Sequence, residues 1–142
     1  MIVFFDDEPH FVHYYLKELR TAYGVDRVVF RDNLNEAQQD LDANGDQVEA
    51  MVLDIMMPPR SEWSPGDAEG GLNSGIKFLE DNLALLRKSK IPVVILTNRD
   101  VNRIEGALDA LRDYLYKIEV HQKTQTPAWH LPTIVHRLLA AK

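Results

Sequence analysis

The sequence predicts an α/β protein built on a doubly wound, five-stranded parallel sheet with five helices on its two faces. Two observations carry this. Short apolar runs rich in β-branched residues alternate with longer stretches of helical periodicity, which is the pattern of βαβ units. Polar residues suited to chemistry sit just after those apolar runs, where open parallel sheets bind ligands. With 142 residues the chain can bury one core and is short for two, so residues 1–142 are read as one domain.

The strands are expected at 2–5 (IVFF), 27–30 (RVVF), 50–54 (AMVLD), 92–96 (PVVIL) and, more weakly, 118–122 (IEVHQ). The middle three are nearly continuous apolar runs, as expected of strands covered on both faces. The first helix follows Pro9, with Phe11, Tyr15 and Leu19 at spacing four and Gly24 as its stop. The second starts at Asn33, with Glu36 completing a capping-box variant, and stops at Gly45. A third pattern carries Phe78, Leu79, Leu83 and Leu86 on one stripe, and a fourth carries Ile104, Leu108, Leu111 and Leu115. The last begins near Thr126, with Pro127 or Pro132 in its first turn. Residues 58–75 break the rhythm with a long loop rich in Gly, Pro, Ser and acids, a kind of segment that is usually functional.

Composition narrows the function. A chain 45% hydrophobic and 27% charged is globular, neither disordered nor fibrous. A net charge of −6 without a dense basic block argues against direct nucleic-acid binding. The absence of cysteine excludes a disulfide scaffold, and MIVFF is too short for a signal segment or membrane span. A cytoplasmic protein with no membrane partner is expected.

Why a buried strand ends on two aspartates is the informative question. Asp6 and Asp7 close the first strand and Asp54 the third, while Thr97 follows the fourth and Lys123 the fifth. Three carboxylates gathered at one sheet edge cost roughly a few kcal/mol of repulsion at an intermediate dielectric. A hard divalent cation such as Mg²⁺ removes that cost, and a lysine ammonium adds to the effect. Acids, cation, ammonium and hydroxyl together suit a phosphoryl group.

These residues resemble the receiver domain of two-component response regulators. FFDDEP is similar to its acidic motif, VLDIMMP to its phosphoacceptor motif, VVILTN to its threonine motif and VHQKT to its lysine motif, in the family's order. The resemblance implies a flavodoxin-like sheet of order 2-1-3-4-5. It implies Asp54 as phosphoacceptor, with Asp7, Asp54 and the Met56 main-chain carbonyl binding Mg²⁺ and Asp6 acting mostly through a water. It further implies Thr97 and Lys123 as partners of the phosphoryl oxygens, and Gly75 in the place of the family's loop glycine. The phosphodonor would be a histidine kinase or phosphotransfer protein and the downstream partner another protein, with homodimerisation open. Single-turnover signalling of this kind is not enzyme activity.

The sequence also departs from the family. DYLYK offers a second lysine, Lys117, with Tyr114 as switch aromatic; with Lys123, Val120 takes the aromatic's position and leaves no aromatic there for a rotamer switch. Asn98 stands where a small residue is usual and narrows phosphoryl access. These departures favour the alternative of a phosphorylation-independent adaptor acting through the expanded loop. A phosphohydrolase would want a second carboxylate two residues after Asp54, where Met56 stands. His10 and His13 lack a third ligand and read as surface histidines, and Trp63 reads as either a partner anchor or a pin for its own loop.

Overall fold

The computed structural model describes residues 1–64, 66–67 and 73–141, with Pro9 described by its backbone alone. Residues 65 and 68–72 of the predicted 58–75 loop lie outside the described residues. The strands are β1 (Ile2–Phe5), β2 (Val28–Arg31), β3 (Ala50–Leu53), β4 (Pro92–Thr97) and β5 (Lys117–Gln122), all parallel, in the order β2-β1-β3-β4-β5. Six helices are described: α1 (Pro9–Tyr23), α2 (Leu34–Asn44), α3 (Ser74–Asp81), α4 (Leu83–Lys88), α5 (Val101–Arg112) and α6 (His130–Ala140).

Period-two alternation along the strands makes two cores. Val3, Phe5, Met51, Leu53, Val93 and Ile95 face one side, under α2 to α5; Ile2, Phe4, Val52, Val94 and Leu96 face the other, under α1 and α6. β1, β3 and β4 are fully buried, whereas β2 and β5 are half-buried edges. The expectation that the 27–30 run is covered on both faces therefore fails: β2 sits at an edge, and β1, outside the middle three runs, is an interior strand.

The five predicted helices become six because the third pattern breaks at Asn82. Its buried side-chain amide donates to the Phe78 carbonyl (2.8 Å) and exchanges hydrogen bonds with Gln38 (2.8 and 2.9 Å). An amide that bonds its own backbone competes with the helix ladder, and here it turns the chain between α3 and α4. The capping box forms: Asn33 accepts from the Glu36 N–H at 2.8 Å, and its amide donates to the Glu36 carboxylate at 3.0 Å. Pro132 lies in the first turn of α6, with Pro127 in the preceding turn. α5 ends at Arg112, so Leu115 reaches the core from the turn that follows rather than from the helix itself.

Two packing contacts position the strand ends. The β3 exit turns under α3, and a Cβ on Gly75 would lie 2.6 Å from both the Asp54 carbonyl oxygen and the Ile55 Cα, so only glycine fits. Across the sheet, the buried Tyr15 hydroxyl of α1 lies 2.5 Å from the Thr126 carbonyl and 3.2 Å from that of Lys123, fixing the chain after β5. Trp63 packs against the α2–α5 side and donates its indole N–H to Asp81 at 3.0 Å. Overpacking against immobile backbone costs about 1–3 kcal/mol. Gly75→Ala is expected to lose at least that much stability in urea denaturation, with an unchanged m-value.

Candidate functional site

Main-chain pairing carries the sheet one step past β1 and β3: Asp6 N–H donates to Arg31 O (3.2 Å) and Asp54 N–H to Phe5 O (3.0 Å). The acidic side chains are therefore held at the carboxyl rim by the ladder itself. One oxygen each of Asp6, Asp7 and Asp54 lies within 4.8 Å of the other two. Asp6 and Asp54 are buried and Asp7 is half-buried.

Lys123 enters this cluster from the turn after β5. Its buried Nζ lies 2.8 Å from Asp6 Oδ2, 2.9 Å from Glu8 Oε2 and 3.0 Å from Asp54 Oδ2. Lys117 does not approach: it opens β5 opposite Pro92, a strand length of roughly 17–20 Å away, and its Nζ lies 5.7 Å from the Tyr116 ring. Tyr114 is exposed. Thr97 is fully buried at the end of β4, where its hydroxyl oxygen accepts the Arg99 N–H at 3.2 Å. The Met56 N–H donates to Asp54 Oδ1 at 3.1 Å, so both Asp54 oxygens are held.

Glu8 was not singled out by the sequence, although it directly follows the doublet. It accepts from Lys123 and also from the Asn98 amide, at 2.7 and 2.8 Å to its two oxygens. Glu8 and Asn98 line, with Asp7, Asp54 and Met56, an open cavity of about 390 Å³ above Asp54. Exposed His10 and His13 take no part in the acidic cluster.

Four carboxylates thus face one ammonium. Burial opposes the charge on Lys123, but the charges of Asp6 and Asp54 and its hydrogen bonds outweigh that and raise its pKa. Asp6 is pushed up to about 7, first by burial and then by the Asp54 charge, against the pull of Lys123. Burial and Asp54 raise Asp7 as well. Asp6 Oδ2, although 2.8 Å from Lys123 Nζ, is buried without a well-aligned hydrogen bond. The cluster carries more negative charge than one ammonium can neutralise, which suits a hard divalent cation.

No protein-family model matches the sequence, and no curated protein does. Solved structures do match. A response regulator receiver domain protein from Clostridium thermocellum superposes with a TM-score of 0.70 at 17% identity, over 99% of this chain and 94% of that one. A two-component response regulator from Cytophaga hutchinsonii gives 0.68 at 16%, over 99% and 96%. The isolated receiver domain of RcsB from Salmonella enterica serovar Typhimurium, solved with the phosphomimetic BeF₃⁻, gives 0.65 at 19%, over 99% and 85%. The fold of this chain is the receiver fold over nearly its whole length.

The Asp6 shift sets a pH dependence. Between its ordinary 3.8 and about 7, the native protein holds a proton that the unfolded chain has released. In chelator, this group makes stability fall as pH rises through that window, by at most about 4 kcal/mol at 1.36 kcal/mol per unit. Urea unfolding from pH 5 to 7.5 is expected to show the decline, and Asp6→Asn to flatten it.

Proposed function

We propose that the protein is a response regulator receiver that accepts a phosphoryl group on Asp54 and thereby changes its protein partners. The observation that carries the reading is the buried Lys123 ammonium, 3.0 Å from Asp54 Oδ2 and shared with Asp6. It supplies charge compensation at the carboxylate placed to react, beside a cavity wide enough for a phosphoryl group.

In this reading an Asp54 oxygen attacks the phosphorus of a kinase or phosphotransfer-protein phosphohistidine. The O–P bond forms as the N–P bond breaks, and the electron pair stays on the imidazole nitrogen, which then takes a proton. The Met56 N–H and Lys123 orient the attacking carboxylate. Lys123 then pairs with a phosphoryl oxygen, and the Thr97 hydroxyl, released from Arg99, donates to another. Asp7, Asp54 and the Met56 carbonyl would hold Mg²⁺, with Asp6 helping through a water; the carboxylate oxygens gathered within 4.8 Å of one another fit it. Bound there, the ion supplies positive charge against the transferring oxygens.

Because the product is a modified protein, this is signalling chemistry and not turnover. The downstream partner is a protein, met through the surface of β4, β5 and α5 that adjoins Thr97, and self-association there is compatible with the reading. Nucleic acid is not a direct partner in this reading, since the basic residues form no block; no described helix is long and apolar enough to cross a membrane. Cytoplasmic placement follows from a cytoplasmic phosphodonor.

The hydrogen bonds of Glu8 and Asn98 at the cavity mouth favour a second reading, an adaptor that binds its partner without phosphorylation. One experiment separates the two. Incubation with Mg²⁺ and acetyl phosphate is expected to add one phosphoryl group by intact mass, and Asp54→Asn to abolish the addition. An unlabelled native protein beside a labelled ordinary receiver rejects the switch, and partner binding unchanged by Asp54→Asn establishes the adaptor.

A further inference from the structure

We infer that Glu8 is an anionic latch: held across the cavity by Asn98 and Lys123, its carboxylate excludes anions from Asp54 until it is displaced. The consequence for signalling rests on the proposed role of Asp54, but the latch itself is a statement about anion access and can be tested without phosphorylation.

Three observations converge on it. Glu8 Oε2 accepts both Lys123 Nζ at 2.9 Å and Asn98 Nδ2 at 2.7 Å, and Oε1 accepts the same amide at 2.8 Å. These bonds join the β1–α1 turn to the turn after β4, residues 90 positions apart, so the side chain bridges the two walls of the cavity. The side chain is only 29% exposed, while Lys123 beneath it is fully covered. An approaching phosphoryl group wants the same ammonium that Glu8 holds, and it meets a like charge before reaching it.

The clasp is reversible by construction. Asp6 and Asp54 are each held by a main-chain bond that extends the sheet ladder, whereas Glu8 is the N-cap residue of α1, and its Asn98 bonds are exposed to solvent, where a neutral donor contributes modestly. A dianionic group bound to Asp54 offers Lys123 a stronger partner and pushes Glu8 outward. The displaced carboxylate then frees Asn98, one residue after Thr97. Loading of Asp54 is thereby coupled to the turn that leads into α5.

The chain has no cysteine, so Asp54→Cys places a single thiol at the base of the cavity. Its thiolate attacks the methylene of an alkylating reagent as iodide leaves. Iodoacetate and iodoacetamide are close in size and differ in charge, and chelator removes metal from the comparison. Adding Glu8→Gln is expected to raise the iodoacetate rate on the order of tenfold, the scale of one removed like charge, with little change for iodoacetamide. Asn98→Ala, which keeps the charge but cuts the clasp, is expected to give a smaller rise for iodoacetate.

An unchanged iodoacetate rate in Glu8→Gln overturns the latch, and so does equal acceleration of both reagents, which reports loosened structure. A flat Asn98→Ala overturns the clasp as the element that holds it. These rates stand whether or not the native protein takes up phosphate, so failure of the latch and failure of the switch are read separately. With Asp54 intact and Mg²⁺ saturating, Glu8→Gln is further expected to be labelled by acetyl phosphate faster than the native protein.

Discussion

The contact of one buried ammonium with three carboxylates is the constraint on which the rim of this sheet depends. Lys123 Nζ lies 2.8–3.0 Å from Asp6, Glu8 and Asp54, with Asp7 close behind. Removing the ammonium from such a group leaves uncompensated buried charge, a loss of roughly 3–5 kcal/mol. The arrangement exists because parallel strands all end on one rim. β1 and β3 are neighbours in register, so residues that follow Phe5 and Leu53 must emerge side by side.

Holding the lysine there takes more than strand geometry. Lys123 leaves the edge strand β5 in a short turn, a place where a chain is ordinarily loose. Tyr15 on α1 supplies the anchor by bonding carbonyls at both ends of that turn. On the other side, Gly75 lets α3 close against the Asp54–Ile55 backbone, and Gly75 N–H donates to Ile55 O at 2.8 Å. Packing on both faces of the sheet thus fixes charges that would otherwise move apart.

Much of this was legible in the sequence, because strand ends carry their chemistry in local runs. The positions of Asp6, Asp7, Asp54 and Thr97 follow from where apolar runs stop, and the Asn33 cap from a three-residue spacing. Less legible were features set by distant partners. That β1 is interior and β2 an edge depends on strand order, which composition does not encode. The break at Asn82 depends on Gln38, 44 residues away. Lys117 and Lys123 have similar local surroundings, and only the register of β5 places one at the rim and the other at the opposite end. Glu8 read as the tail of an acidic motif because its partners, Asn98 and Lys123, lie on other turns.

The central claim is a charge imbalance at the rim that a divalent ion relieves, and calorimetric titration with Mg²⁺ at pH 7 tests it most directly. Since Asp6 is held near a pKa of about 7, an ion that favours its charged form must expel part of a proton. The account predicts saturable binding of one Mg²⁺ with a heat that varies with buffer ionisation enthalpy, and loss of binding in Asp7→Asn. Absence of binding, or binding without proton release, would contradict it.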